Sequence, residues 1–412
     1  MLAAPLKQRA GRWEKTDRLV EKRPGGLLLE MLWGWPVTQA IPFVAQVAMK
    51  PFFLLLLVAC SSLLLVGCIG SKQFAATAGW AGPLVSDETV YLGSREGKML
   101  ALDAATGERR VSFPAGEKEH LLGIYGTPAL AGGVLFVGDY QGKLYALDAA
   151  GLTKRWQYPA DERKIGQIVG GPTVAGNLVI FGSSDKKVRA LLRNNGAQEW
   201  EFATEGMVWS APIVVSDTVY VASLGHHVYA LSLADGKPKW PKPFEAGGAV
   251  VASPLVADGK VFFGSFDRVF YAVNAATGKE VWRFGEGKAW YWSTPVTDGK
   301  RVYPVATDGK VYALDINSGA KRWEFDLGKS TISAPVLVGN NMVVTSDAGL
   351  IYILSAETGA QVSSFDVAAQ VRAPLIARDG VVYINAMNHR VWALRVSGRQ
   401  EKVWEISTST KE

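Results

Sequence analysis

The stretch STPVTDGKRVYPVATDGKVYALDINSGAKRWEF, residues 293–325, writes out one complete structural unit. Ser293-Thr294-Pro295-Val296 opens a first strand, with Pro at the strand start, where its missing N–H costs least. Asp298-Gly299 turns the chain, and Val302-Tyr303-Pro304-Val305 reads as a second strand. Asp308-Gly309 reads as a two-residue hairpin turn, because Gly accepts positive φ without a steric penalty. Residues 311–315 alternate in character as a third strand, Ser318-Gly319 turns again, and Arg322-Trp323-Glu324-Phe325 forms the fourth. Four short strands in about 40 residues make one blade of a propeller.

The unit recurs. A Pro preceded by small residues stands at Pro83, Pro128, Pro172, Pro212, Pro254, Pro295, Pro335 and Pro374, at intervals of 39 to 45 residues. The third-strand triplet Tyr312-Ala313-Leu314 keeps the same beat, from Leu100-Ala101-Leu102 through to Trp392-Ala393-Leu394. One such sheet cannot bury both faces alone, so neighbours must stack and the array must close. The expected fold is all-β: an eight-bladed propeller of four-stranded antiparallel blades over residues 80–412. How it closes stays open, since Trp404 completes the last blade by itself while residues 74–80 could add an outer strand as a clasp.

Upstream, the sequence reads as an address. From Met49 a charged start leads into an apolar stretch and then Leu65-Val66-Gly67-Cys68, the plan of an export signal. The last four residues resemble the lipobox of bacterial lipoproteins, which implies removal of residues 49–67 and acylation of Cys68. A membrane-spanning helix over 52–69 is the competing reading, but it leaves the Gly-Cys pair unmotivated. Residues 1–48 have no place in such a signal and are expected to be a mis-assigned or disordered extension, with Met49 the true start. Residues 68–79 are then a tether.

Charge and cysteine content remove several function classes. Of 44 Lys and Arg, eight precede Cys68, and of 38 Asp and Glu, four do, leaving 36 against 34 downstream. So balanced a body has no electrostatic footprint for nucleic acid. The two Cys both lie in the address, so the remainder has no disulfide, Cys zinc site or Cys nucleophile to offer.

Three residues before each repeat Pro stands a large apolar side chain: Trp80, Tyr125, Val169, Trp209, Val251, Trp292, Ile332 and Val371. Inner strands converge on the axis, so the small residues that follow have a steric reason, and the large ones pack between blades or rim one mouth of the channel. As a rim for a partner or flat ligand, the candidates are Trp80, Tyr125, Trp209, Trp290, Tyr291 and Trp292, densest around the last four. His226-His227 and His389 fall in turns with no carboxylate cluster beside them, so no metal site is expected. Gly328-Lys329-Ser330 imitates the end of a phosphate loop, but Trp323 occupies the earlier Gly position and no helix pattern follows. The Asp-Gly pairs repeat with the blades, as structure does and catalytic groups do not.

Ala313-Leu314-Asp315 through Gly319 to Trp323 resembles the tryptophan-docking repeat of PQQ-type propellers. Ala272-Val273-Asn274 through Gly278 to Trp282 repeats it, and weaker copies end at Trp156, Trp200, Trp240 and Trp404. The resemblance implies that each indole wedges between blades and bonds to backbone. Val111 and Ser363 stand where Trp is expected, so two junctions should pack differently. Two functional classes follow from the resemblance. Quinoprotein oxidoreductases carry PQQ and calcium, but they are longer and often hold a vicinal Cys pair, whereas the 345 residues from Cys68 onward are nearly all spent on blades. The non-catalytic, BamB-type lipoprotein propellers match in plan: signal, lipid-bearing Cys, short tether, eight blades. That likeness implies an exported, monomeric scaffold, tethered to a membrane on the periplasmic or extracellular side and binding envelope proteins of a membrane complex, with neither cofactor nor turnover. An envelope sensor or solute-binding propeller is the further alternative.

Overall fold

A computed structural model describes residues 79–409, apart from 117, 118, 162 and 164. Cys68, the signal at 49–67, the extension at 1–48 and most of the 68–79 tether lie outside the described residues. Within them, eight four-stranded sheets follow one another along the chain, over 84–113, 129–158, 173–203, 213–245, 255–284, 296–326, 336–366 and 376–407. We number these blades 1 to 8. Every blade is an antiparallel meander of consecutive strands.

Blade 6 shows how the sequence is used. Its strands are Val296–Thr297, Arg301–Tyr303, Lys310–Asp315 and Lys321–Asp326. The second strand stops earlier than its apolar run suggests because Pro304 has no N–H to give the ladder; pairing resumes as single bridges, Val305 with Val311 and Tyr291 with Ala306. The Asp308-Gly309 turn is longer than a two-residue loop. Ala306 N–H donates to the Lys310 carbonyl at 2.8 Å and Gly309 N–H to the Ala306 carbonyl at 3.0 Å, enclosing three residues with Gly309 at φ +91°. That is a type I turn closed by a left-handed residue, which suits the twist of the flanking strands.

The third and fourth strands place the tryptophans. In blade 6, Ala313 faces Trp323, and the register slips immediately after, between Ala313 and Leu314. The same slip follows Ala190, opposite Trp200, and Ala272, opposite Trp282. Such a bulge re-aims a side chain, and a small residue opposite leaves room for the indole.

The core lies between blades rather than within them. Tyr303, Val311 and Ala313 of blade 6 are buried with Met342, Val344 and Leu354 of blade 7, and blades 7 and 8 share a like cluster. The circuit closes with Val90, Leu92 and Leu102 of blade 1 against Val381, Tyr383 and Trp404 of blade 8. Among the described residues no strand is exchanged at this seam, and the last blade takes all four strands from its own repeat, ending with Glu401–Ser407. Of the 74–80 clasp, only Gly79 and Trp80 are described, and neither is in a strand. Polar bonds seal the seam instead: the buried Asn385 amide donates to the carbonyls of Ala81 at 3.0 Å and Gly93 at 3.1 Å, and Arg378 pairs with Asp87.

Candidate functional site: the aromatic mouth

The chain enters each blade beside the loop joining the second and third strands of the blade before it, so these segments share one end of the channel. In blades 4, 6, 7 and 8 entry residues alternate between buried and half-buried, whereas in blade 5 Val250, Val251 and Ala252 are all buried. In blade 4, Val208 and Ser210 are buried while Trp209 is half-buried and turned to the mouth. The buried positions must be small where inner strands touch: a Cβ on Gly170 would lie 2.5 Å from the Ser210 backbone.

The side chains expected at the rim separate into distinct groups. Trp80 and Tyr125 meet edge to face, with ring centroids 4.6 Å apart, and Tyr125 leans on Tyr140 at 5.3 Å. Burial and the neighbouring Tyr140 push the Tyr125 hydroxyl up to about 12, so it is un-ionised at any ordinary pH. On blades 5 and 6, Phe266 stacks against Trp290 at 4.9 Å and Trp292 at 5.6 Å. Trp209 stands apart from both groups, its indole N–H donating to the Ser184 hydroxyl at 3.0 Å. Rim and loop residues thus lock together across blade junctions.

One expectation is corrected. Tyr291 does not reach the rim: it is 1% exposed, its ring joins the core between blades 5 and 6, and its Cβ sits over Gly264. It occupies the inward position of the alternation, the one held by Val208 in blade 4. In the last blade, Val371 is also wholly buried. Pro374 lies one residue early relative to the other repeats; Leu375 takes the place of the repeat Pro, and its N–H donates to the Ala334 carbonyl at 3.3 Å. The residue turned to the mouth is therefore Arg372, whose guanidinium lies 5.8 Å from the centre of the Trp80 ring. Counting back from Pro374 misses it; only the in–out alternation reveals the shift. Phe266, Tyr140 and Arg95 were missed because they lie on the second-to-third-strand loops, where the repeat shows no apolar signature.

The other end of the ring holds the docking indoles. Trp282 N–H donates to the Ile316 carbonyl at 3.2 Å, Trp323 to Ala356 at 3.1 Å and Trp404 to Ala104 at 2.9 Å. Trp156, Trp200 and Trp240 bond likewise to Arg193, Leu233 and Ala275, at 3.1, 3.0 and 2.9 Å. Every bond crosses to the following blade. Gly319 has to be glycine beside Trp282: it stands at φ +71°, and a Cβ there would lie 2.6 Å from the indole.

The two departures are repaired by volume exchange. At the junction of blades 1 and 2, Val111 replaces the indole, and the position equivalent to Gly319 is Leu152. Leu152 is 2% exposed, holds φ +48°, and packs in the cluster that Val111 borders. Tyr91 O–H donates to the Ala149 carbonyl at 3.0 Å, the bond an indole would make. In blade 7, Ser363 faces Ile353, where other blades set Trp against Ala.

Among the described residues, no three His, Cys, Asp or Glu are gathered to hold a metal. His226 and His389 occupy left-handed turn positions, at φ +71° and +65°, and the His227 ring lies 3.7 Å from Glu205. No described helix is long and apolar enough to cross a membrane.

The sequence profile of the family described as outer membrane protein assembly factor BamB matches residues 67–206, 115–270, 265–350 and 307–412. The chain is 25% identical over 236 residues to outer membrane protein assembly factor BamB of Escherichia coli K12, covering 54% of this chain and 49% of that one. It is 27% identical over 196 residues to the protein so named in Alkalilimnicola ehrlichii, covering 45% and 51%. The chain thus spans about half the length of these curated relatives. BamB from Moraxella catarrhalis superposes with a TM-score of 0.63 at 21% identity, over 74% of this chain and 91% of that one. The computationally designed Ika8 protein superposes with a TM-score of 0.66 at 16% identity, over 76% and 95%. These two likenesses concern the fold.

Proposed function

The chain belongs to the family described as outer membrane protein assembly factor BamB, and from that premise we propose that it is a non-catalytic scaffold of the bacterial cell envelope. In this reading the protein is exported, carries lipid on Cys68, and holds envelope proteins of a membrane complex against its propeller. The relatives' name supplies the process, assembly of outer-membrane proteins.

The observation that carries the reading is the chemistry of the mouth. Trp80, Tyr125, Phe266, Trp290 and Trp292 present half-buried aromatic area held in place by ring contacts. Rigid aromatic surface gives contact energy at little entropic cost and is typical of the centre of a binding patch. PQQ and calcium form no part of this proposal.

The test is a capture of the lipidated protein from its native membrane, beside a Cys68→Ser variant. The expected result is a set of envelope proteins retained by the wild type and lost when Trp290 and Trp292 are both changed to Ala. Oxidation of an alcohol or sugar on addition of PQQ, Ca²⁺ and a dye acceptor would overturn the reading, as would capture unaffected by the double substitution.

A further inference from the structure

Where blades 8 and 1 meet at the mouth, two arginines stand with no acid paired to either among the described residues. Arg95, on the second-to-third-strand loop of blade 1, gives one Nη to the Met387 carbonyl. Arg372, at the entry of blade 8, lies over the Trp80 ring. The Nε of each is shut off from solvent and has no hydrogen-bond partner among the described residues. A buried donor left unmade costs free energy comparable to a hydrogen bond, and neither arginine joins an ion pair among the described residues.

Their charges also oppose one another. Burial, and then the charge of Arg372, pull the Arg95 guanidinium below its ordinary value, against an upward push from Tyr125. The acid near Arg372 is Asp347. Its Oδ2 accepts from the Ser330 hydroxyl at 3.1 Å while its Oδ1 is buried with no partner. Burial pushes this carboxyl up, against Ser330 and Arg372. The opposite arc, on blades 5 and 6, is apolar, with Phe266 between Trp290 and Trp292.

We propose that the mouth over blades 8 and 1 is a carboxylate-binding site, in which Arg372 and Arg95 hold the anion and the Trp80–Tyr125 pair receives a flat apolar body attached to it. The Nη groups of Arg372, which bond to no described residue, and the Arg95 Nη not given to Met387 supply the charge-assisted bonds that an ionised oxygen prefers. The edge-to-face pair beside them offers ring surface at contact distance. The site stands independently of the scaffold reading, since a small organic carboxylate and the C-terminus of a polypeptide present the same chemistry.

The test is calorimetric titration of the full chain in detergent with benzoate and with benzamide, its uncharged isostere. Benzoate should bind at least tenfold more tightly. Arg372→Gln and Arg95→Gln should each weaken it by roughly ten- to a hundredfold, the worth of one charge-assisted bond, and Arg372→Lys should retain part of the affinity. Arg372 is half-buried on the surface, so its variants should fold, and thermal melts verify this. A tripeptide ending in Phe, free or amidated, separates the sources: binding of the free form alone points to a polypeptide terminus, and binding of benzoate without the peptide points to a small anion. Equal affinity for benzoate and benzamide, or wild-type affinity in both Gln variants, would overturn the proposal. So would benzoate binding that appears only in Asp347→Asn, which would mean that Arg372 is neutralised from within.

Discussion

The exchange at the junction of blades 1 and 2 can be reversed, and the cost of each half is calculable. Changing Val111 to Trp alone forces an indole into space held by Leu152, which is 2% exposed. Overpacking of this kind costs about 1–3 kcal/mol. Changing Leu152 to Gly alone removes a buried side chain, at about 2–5 kcal/mol. That loss is partly offset, because Leu152 holds φ +48° and an L-residue there is strained by about 1–2 kcal/mol. Together the two changes rebuild the arrangement of Trp282 against Gly319. Ala101 already faces position 111. The Ala149 carbonyl already accepts from Tyr91, but that is no obstacle, since the Ala275 carbonyl accepts from both Tyr220 and Trp240. The double variant should therefore be near wild-type stability, with a favourable coupling of about 2–3 kcal/mol. Urea unfolding of the four proteins in the cycle measures it. Additive losses would refute the claim that Leu152 occupies the indole's place.

Other perturbations follow from the same geometry. Trp282→Ala should destabilise by about 3–5 kcal/mol, while Trp282→Phe should lose about 1 kcal/mol for the bond to Ile316; denaturant midpoints separate the two. Asp139 is fully buried, with Oδ1 accepting from the N–H groups of Gln141 and Lys143 at 3.0 and 2.9 Å, and burial raises its carboxyl to about 6. Because the folded value lies above the unfolded one, this group favours the fold below pH 4 and loses that contribution as pH rises through 6. Asp139→Asn, which keeps the acceptor, should stabilise by up to about 3 kcal/mol at pH 7.5 and by almost nothing at pH 4; thermal melts at the two pH values verify it. His226 is exposed at φ +71°, a position held by Gly309 in blade 6, so His226→Gly should raise stability by about 1 kcal/mol, read from the urea midpoint.

The eight-fold repeat, the strand positions and the six docking tryptophans were legible in the sequence, because each is written within about 40 neighbouring residues. A turn glycine, an alternating strand or an Ala opposite a Trp needs no knowledge of the far end of the chain. The mouth was legible only in part. Counting from a proline led to Val371 and missed Arg372, and counting large aromatics placed Tyr291 at the rim although its position points inward. What decides these cases is side-chain direction across a junction, which sequence spacing does not carry. The seam is the extreme instance: Asn385 reaches Ala81 across 304 residues of chain, and Arg95 reaches Met387 across 292. The repeat determined what each blade is. Closure of the ring decided which blades meet, because only burial against a neighbour distant in sequence sets a first blade beside a last one.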